Sequence, residues 1–189
     1  MHKIGVLAIQ GDFHKHCSVV EALGHQSAEI RTANDLMNID ALIIPGGEST
    51  TFVRLFNEFG FSDDLNKFAK NHPILGTCAG CIVLSKEADH LPFKPLGLID
   101  ISVSRNAYGR QKDSFVDNVD IYLNGEQYAF PGVFIRAPII DKIGPNVKVL
   151  AKHKDNIVMV EEGNVLAATF HPELTDNFEI HRYFIDNLI

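Results

Sequence analysis

The residues best suited to chemistry begin with a cysteine at a sharp turn, in the segment Gly76-Thr77-Cys78-Ala79-Gly80. The segment lies after a predicted strand and before a predicted helix, which is the setting of a nucleophile elbow. Such a turn exposes the side chain at its tip, and flanking glycines remove Cβ clashes at the bend. The N-terminus of the helix also stabilises a thiolate. The pattern predicts that Cys78 is a nucleophile; the alternative is a buried structural cysteine beside tight-turn glycines.

A second segment, Phe170-His171-Pro172-Glu173, supplies a base and a group to orient it. A thiol nucleophile needs a base, and the base needs a partner that fixes its tautomer. Pro172 favours an extended backbone at His171, and residues two apart in extended chain point to the same side. Glu173 can therefore hold one ring nitrogen of His171 while the other faces the sulfur. The alternative is a surface turn with a solvated carboxylate, but the cysteine turn in the same chain favours the catalytic interpretation.

Amide hydrolysis passes through an oxyanion, which enzymes stabilise with backbone N–H groups. We expect one donor at Ala79, directly after the nucleophile, and a second in another loop that follows a buried strand. The segment Pro45-Gly46-Gly47-Glu48-Ser49-Thr50-Thr51 fits, because paired glycines allow close approach to a ligand and a peptide flip. The alternative is an ordinary turn followed by a capping serine. A phosphate loop is excluded, since its spacing and lysine are absent.

The other cysteines and histidines favour structural roles. Cys17 and Cys81 fall inside predicted helices, where we expect core thiols. His14 and His16 are two apart on one predicted helix, so they do not share a face for a metal. His181 lies in the last predicted helix. No cysteine and histidine spacing typical of ligands occurs, and we expect no metal site.

The elements that position these segments alternate between strand and helix in the first half, which is typical of an α/β sheet. Helix starts are predicted from capping residues, and helix ends from glycines. The predicted elements are strand 3–9, helix 13–23, strands 27–31 and 41–44, a helix from Ser49 to Phe56, a helix capped by Ser62, strand 74–77 and a helix from Ala79 to about Ser85.

After Pro92 and Pro95 the sequence favours short strands instead. The predicted strands are 98–104, 115–123, 132–135, 147–152, 157–162 and 165–170, and Asp176 caps a last helix that ends near Leu188. We predict a single α/β domain over residues 1–189. Its mostly parallel central sheet is flanked by helices, and additional antiparallel strands come from the second half.

Composition narrows the class of protein. The chain has 189 residues, of which 46% are hydrophobic and 22% charged, as in one globular domain. The net charge of −7 and a pI of about 5.7 argue against nucleic acid or an anionic membrane as partner. The apolar run Ile4–Ile9 is too short for a signal segment or a membrane span. Three cysteines without tight spacing indicate a reduced, cytoplasmic protein.

Several segments together resemble class I (triad-type) glutamine amidotransferases, and within them the PdxT/SNO family of glutaminase subunits of pyridoxal 5'-phosphate synthase. The resemblance runs nearly end to end. The segments that carry it are 4–11, 45–51, Gly76-Thr77-Cys78-Ala79-Gly80, Arg105-Asn106-Ala107-Tyr108-Gly109-Arg110-Gln111, Phe134-Ile135-Arg136-Ala137-Pro138 and Phe170-His171-Pro172-Glu173-Leu174. The cysteine turn and the His-Pro-Glu segment are common to many glutaminases, whereas segments 45–51, 105–111 and 134–138 are more specific to the vitamin B6 branch.

The resemblance implies a role for each matching residue and a flavodoxin-like sheet. Cys78, His171 and Glu173 would form the catalytic triad, and the amides of Gly47 and Ala79 the oxyanion hole. The residues implied to bind glutamine are Gly47, Glu48, Ser49, Arg105, Ile135 and Arg136. An arginine suits the α-carboxylate of glutamine, which a guanidinium binds as a fork. Without the resemblance, Arg105 and Arg136 would be interpreted as solvated surface charges.

The implied activity is hydrolysis of L-glutamine to L-glutamate and ammonia through a thioester, with no cofactor in this subunit. The ammonia would pass to a barrel-shaped synthase subunit of the PdxS type in a hetero-oligomer. One alternative is a glutaminase for another synthase, such as that of the histidine pathway, which shares the triad but lacks the 105–111 segment. Others are a DJ-1-type thiol hydrolase, which has no reason for the His-Pro-Glu segment, and a non-catalytic regulatory module, against which the intact triad argues.

Two departures from the family pattern stand out. Cys81 occupies a position where the family usually has a larger aliphatic residue, and we expect only a change in packing. His14 stands near where relatives often carry arginine. Because the family docks its synthase at the first loop and helix, partner fit could differ there in detail.

Overall fold

One mixed sheet organises the molecule. The structure is a computed structural model and describes residues 1–8, 11–48, 51–52, 60–89, 91, 94–105 and 114–189. Twelve strands of the described residues belong to this sheet, and nine of them follow one another in the order β2-β1-β3-β4-β12-β11-β10-β7-β8. The sheet carries helices on both faces and confirms the predicted α/β architecture.

The first five strands in this order run parallel to one another. They are β1 (Lys3–Leu7), β2 (Gln26–Ile30), β3 (Ala41–Ile44), β4 (Ile74–Thr77) and β12 (Val165–Ala168). Every residue of β3, β4 and β12 is buried, as expected for parallel strands covered on both faces. Ile44 pairs with Gly76, and Ala168 pairs with Thr77. The chain therefore leaves β3, β4 and β12 at one edge of the sheet.

The remaining strands continue the sheet in antiparallel fashion and add a branch. They are β5 (Ser85–Ala88), β6 (Ile99–Ser104), β7 (Phe115–Leu123), β8 (Glu126–Phe134), β9 (Ile139–Ile143), β10 (Lys148–His153) and β11 (Asn156–Glu162). In the branch, β6 pairs with β5 and β9, and β9 also pairs with β11. Asn124 and Gly125, both with positive φ, form the two-residue turn between β7 and β8, as tight hairpins require.

Helices lie on each face of the sheet and divide the core in two. They are α1 (Phe13–Ala22), α2 (Phe61–Phe68), α3 (Ala79–Leu84) and α4 (Glu179–Leu188), with 3₁₀ helices at Ala33–Asn38 and Pro172–Leu174. Residues of α1 and α4 pack in one apolar cluster and residues of α2 and α3 in the other. Strand alternation feeds both clusters: Ile43 points into the first and Leu42 into the second.

Two predicted helix caps are wrong. The N-cap of α2 is Gly60 in left-handed backbone, with a φ of 62°, and Ser62 lies inside the helix. Helix α4 begins at Glu179 and its N-cap is Phe178, two residues after the predicted cap Asp176. In the chain between Asp176 and the helix, the side-chain oxygen of Asn177 accepts from the N–H of Glu179 at 3.0 Å. The predicted helix from Ser49 to Phe56 lies mostly outside the described residues.

The second half contains more strand than the sequence predicts. Strand β8 starts at Glu126 rather than at Gly132, and it includes Pro131. Because β8 is at the end of the strand order, a residue without an N–H is tolerated there. Neither β5 nor β9 is predicted. Strand β5 is a short, mostly polar stretch directly after α3. Among the described residues, none of the helices is long and apolar enough to span a membrane.

The tight contact between α3 and β3 makes Gly80 a test of this packing. A Cβ on Gly80 would lie 2.0 Å from the carbonyl oxygen of Ile44. Because this oxygen belongs to the backbone of a central strand, it cannot move aside. We expect Gly80→Ala to lower the free energy of unfolding by about 3 kcal/mol in denaturant titrations. The control is Gly24→Ala, which meets nothing within 4 Å and costs only the strain of its φ of 84°, about 1 kcal/mol. Equal losses in the two variants would contradict the packing.

Candidate active site

Cys78 occupies a strained turn between β4 and α3. Its φ of 50° and ψ of −108° are unusual for a residue with a side chain, and the surroundings enforce them. Its N–H donates to the carbonyl of Ala168 at 2.9 Å, which ties the turn to the end of β12. A Cβ on Gly76 would lie 2.8 Å from the backbone of Gly80, so the turn closes only with glycine at this position. Cys78 is 8% exposed.

His171 and Glu173 follow the end of β12. The Nδ1 atom of His171 lies 2.7 Å from Oε1 of Glu173, and the N–H of His171 donates to the carbonyl of Val133 at 2.9 Å. The extended geometry predicted for this segment is wrong beyond His171, because Pro172–Leu174 is a 3₁₀ helix. The tight turn, rather than strand alternation, brings the carboxylate to the imidazole.

The backbone of Gly46 packs against both Cys78 and His171. A Cβ on Gly46 would lie 2.6 Å from Cε1 of His171 and 3.1 Å from Cβ of Cys78. Gly11 approaches from the loop after β1, since a Cβ there would lie 2.0 Å from the carbonyl oxygen of Gly46. The loops that follow β1, β3, β4 and β12 thus converge on one site.

The charge state of His171 follows from two opposed effects. Burial disfavours the charged ring, but the interactions with the thiol of Cys78 and the carboxylate of Glu173 outweigh it and raise the pKa of His171 to about 10. The proton on His171 is therefore favoured at neutral pH, and an imidazolium is the form that pairs with a thiolate. Glu173 is almost completely buried, so its attraction for the ring is poorly screened by solvent.

The predicted glutamine contacts lie around this cleft to different extents. The Sγ atom of Cys78 is 3.9 Å from the carbonyl oxygen of Ile135, which places the end of β8 beside the sulfur. Arg136 follows with a φ of 47° and an exposed side chain. Arg105 comes directly after β6 and is half-buried, and its contact with glutamine stays a prediction.

The predicted oxyanion loop is described only in part. Gly47 and Glu48 are exposed, and Gly47 has a φ of 151° that favours glycine. Ser49 lies outside the described residues. Ala79 is the first residue of α3, where an N–H has no carbonyl partner within the helix. The roles of Gly47 and Ala79 as donors stay predictions.

The site can be compared with those of known proteins. Residues 6–189 match the profile of the SNO glutamine amidotransferase family. The chain belongs to that family. The resemblance predicted from the sequence is thus confirmed, and the alternative of a DJ-1-type thiol hydrolase is rejected.

Relatives of this SNO-family chain match it along nearly its whole length. A pyridoxal 5'-phosphate synthase subunit PdxT from Fervidobacterium nodosum is 50% identical over 183 residues, which are 96% of this chain and 95% of that protein. One from Brevibacillus brevis is 47% identical over 97% of this chain and 96% of that protein. A crystal structure of a glutamine amidotransferase has a TM-score of 0.89 at 44% identity and 97% coverage of both chains. PurLQS from Thermotoga maritima, with a TM-score of 0.75 at 15% identity and 100% coverage of both chains, shares the fold.

Two buried histidines of the SNO-family chain stand behind the triad, and the sequence does not single them out. His16 on α1 is completely buried, with Nδ1 2.9 Å from Nε2 of His181 on α4. Its Nε2 is 3.4 Å from Oε2 of Glu173 and 3.3 Å from the hydroxyl of Thr77. The available signal was helical spacing, since His16 shares the buried face of α1 with Val19 and Val20. Their approach across 165 residues of chain is not visible in any local pattern.

Both of these histidines are held neutral. Burial, followed by the nearby His181 and His171, lowers the pKa of His16 well below its usual value. Burial alone lowers the pKa of His181 to about 4. In an interior that excludes water, the neutral ring is the stable form unless an opposite charge compensates.

The remaining thiols and possible ligands are separate from the triad. Cys81 is completely buried inside α3, and burial, followed by the effect of Cys78, raises its pKa. Cys17 is only partly buried at the edge of a cluster, so its predicted place in the core is wrong. In the part of the chain that the structure describes, no group of three or more His, Cys, Asp or Glu side chains could hold a metal ion.

The neutral histidine pair predicts acid sensitivity of the fold. Unfolded histidine binds a proton below about pH 6.5, whereas buried His181 does not until its pKa of about 4. Since the unfolded state binds more protons in this window, the free energy of unfolding falls as pH falls through it. The contribution of His181 is about 3 kcal/mol. We expect His181→Leu to make the decline between pH 6.5 and pH 4 shallower by that amount in urea titrations.

The matched control is His14→Leu, which removes an exposed imidazole from the helix that carries His16. Its stability should follow the pH dependence of the unmodified protein. A decline in His181→Leu that runs parallel to that of the unmodified protein would contradict a neutral buried His181.

Proposed function

We propose that this chain hydrolyses L-glutamine to L-glutamate and ammonia with Cys78 as nucleophile, His171 as acid and base, and Glu173 as the group that orients His171. The observation that carries the proposal is the convergence of three strand ends on one imidazole. Nδ1 of His171 is 2.7 Å from Oε1 of Glu173. On its other side, the ring packs with Cys78 against the backbone of Gly46. Membership of a glutamine amidotransferase family supports the same chemistry.

The first half of the reaction forms a thioester. The Cys78 thiolate attacks the side-chain carbonyl carbon of glutamine, and the resulting oxyanion accepts hydrogen bonds from the amides of Ala79 and Gly47. Protonated His171 gives its proton to the leaving nitrogen, so the C–N bond breaks and ammonia departs. Because Glu173 accepts from Nδ1, the other ring nitrogen is left to face the sulfur and the substrate.

The second half releases glutamate. His171, now neutral, takes a proton from water, and the hydroxide attacks the thioester carbon. A second oxyanion forms in the same place, and its collapse returns the sulfur as a thiolate with the proton on His171. The sum is glutamine plus water giving glutamate plus ammonia, with no redox change and no cofactor.

Substrate recognition is assigned to residues on the rim of the cleft. The guanidinium of Arg136 or Arg105 would bind the α-carboxylate of glutamine, because a planar fork matches its two oxygens. Ile135, whose carbonyl faces the sulfur, would line the path of the side chain. Gly47, Glu48 and Ser49 would complete the pocket.

The proposed recipient of the ammonia is a pyridoxal 5'-phosphate synthase. Support comes from relatives named as PdxT subunits of that enzyme, which are 50% and 47% identical over nearly the whole chain. The chain would act in a hetero-oligomer with a barrel-shaped subunit of the PdxS type. The likeness to PurLQS, at 15% identity, concerns the fold alone.

Two expectations about the whole chain belong to this proposal. Residues 1–189 would form one glutaminase domain, since a single sheet joins described strands from Lys3 to Ala168. The protein would work in the cytoplasm, because cysteines that form no disulfide fit a compartment that keeps thiols reduced. Cys17, Cys78 and Cys81 are all free thiols.

Removal of the nucleophile tests the mechanism. We expect Cys78→Ala to lower glutamine hydrolysis by at least about 10³-fold, because no thioester can form. Ammonia release is measured with the synthase subunit present, and circular dichroism verifies the fold. Cys81→Ala, in the helix that follows Cys78 and completely buried, is the matched control and should keep turnover within a few-fold. Retained hydrolysis in purified Cys78→Ala would refute the assignment.

A coupled assay tests the recipient. The chain and the candidate synthase subunit should co-purify and form pyridoxal 5'-phosphate from glutamine. In the complex with Cys78→Ala, formation from glutamine should disappear while formation from added ammonium salt remains. Glutamine hydrolysis without any coenzyme formation would mean that the glutaminase serves a different synthase.

A further inference from the structure

The second oxygen of Glu173 poses a problem that the triad does not solve. Oε1 accepts from His171, but Oε2 is buried and has no hydrogen bond of ordinary geometry among the described residues. A buried carboxylate oxygen without a donor is costly, and a donor there favours the ionised form. The nitrogen that faces Oε2 is Nε2 of His16, at 3.4 Å, and both side chains are at most 1% exposed.

We propose that His16 is a positioning residue of the triad: as a neutral imidazole it directs its Nε2–H toward Glu173 Oε2, and His181 fixes that tautomer. The inference rests on the proposed glutaminase function. His16 lies behind the carboxylate and acts on Cys78 only through Glu173 and His171.

The tautomer follows from counting protons in the buried pair. His16 Nδ1 and His181 Nε2 are 2.9 Å apart, so one of them donates to the other. If His16 donated, its Nε2 lone pair would face the carboxylate of Glu173. The proton of neutral His181 would then lie on Nδ1, a buried atom without a hydrogen-bond partner among the described residues. An orphaned buried N–H is rarely tolerated.

The opposite assignment leaves fewer groups unsatisfied. His181 then donates from Nε2, and its Nδ1 carries only a lone pair. His16 accepts at Nδ1 and carries its proton on Nε2, which faces Oε2 of Glu173 at 3.4 Å and the Thr77 hydroxyl at 3.3 Å. A neutral donor also suits this place, since His171 already carries the positive charge of the site and lies close enough to disfavour a second one on His16.

Three elements hold this arrangement rigid. His16 comes from α1, His181 from α4, and Thr77 from the last position of β4, next to the nucleophile. Both helices pack on the same apolar cluster, through residues such as Val20 and Phe184. Among the described residues, the charged and titratable groups that face His16 are His181, Glu173 and His171, so a change in its protonation acts directly on the triad.

Two amide variants separate a positioning role from a structural one. Glutamine can place an NH₂ near Nε2, toward Glu173, whereas asparagine can reach only the Nδ1 side, toward His181. We expect His16→Asn to lower kcat for glutamine hydrolysis about 30-fold, with KM within about twofold, in the complex with the synthase subunit. His16→Gln should recover most of the lost turnover, to within about threefold of the unmodified protein. Equal losses in both variants, or a larger loss in His16→Gln, would overturn the proposal.

A second measurement does not depend on glutamine. The rate of Cys78 alkylation by iodoacetamide, followed against pH by peptide mapping, reports the pairing of the thiolate with protonated His171. In His16→Asn the midpoint should move to higher pH, because a poorly held Glu173 stabilises the imidazolium less; in His16→Gln it should stay near its original value. Coincident profiles for all three proteins would overturn the proposal even if stability falls. If the midpoint shifts in His16→Asn but not in His16→Gln, and the unmodified protein hydrolyses no glutamine, the proposed function is refuted and the positioning role stands.

Discussion

The register between β12 and β4 is the constraint on which the site depends. Val165 pairs with Ile74 and Ala168 with Thr77, although some ninety residues of chain separate the two strands. Parallel pairing puts both carboxyl ends at one edge, so the nucleophile and its base leave the sheet side by side. A shift of one residue would reverse every side chain of β12 and move Leu166 out of its apolar cluster to the opposite face of the sheet. Because β12 is buried on both faces, its packing determines the position of His171 as well as the fold.

The three buried histidines at this edge differ in charge although burial affects them in the same way. His171, His16 and His181 are all buried, and desolvation disfavours the charge on each. Of the three, only His171 lies beside both a thiol and a carboxylate, and only its pKa rises. The site thus contains one charged imidazole beside two neutral ones, and the difference arises from the neighbours of each ring rather than from its depth.

The sequence predicted the parts of the site that are local in the chain. The glycines around Cys78 and the triplet from His171 to Glu173 each fit a short pattern with a physical reason, and the structure brings these segments together. Local patterns failed where a tertiary contact decided the outcome. Gly60 rather than Ser62 caps α2, and β8 continues through Pro131 because it stands at the end of the strand order. The contact between His16 and His181 depends on the packing of the first and last helices, which periodicity can place on a buried face but cannot pair.

The position of β12 also determines when the thiol meets its base during synthesis. This strand begins at residue 165 of 189, yet it lies between β4 and β11 in the middle of the sheet. Until β12 leaves the ribosome, one side of β4 has no strand to pair with. Unpaired strand edges are sites where incompletely folded chains aggregate. Cys78 is synthesised long before His171, so the growing polypeptide carries a cysteine without its base at the end of β4. Insertion of β12 between β4 and β11 therefore completes the sheet and brings His171 to Cys78 in the same step.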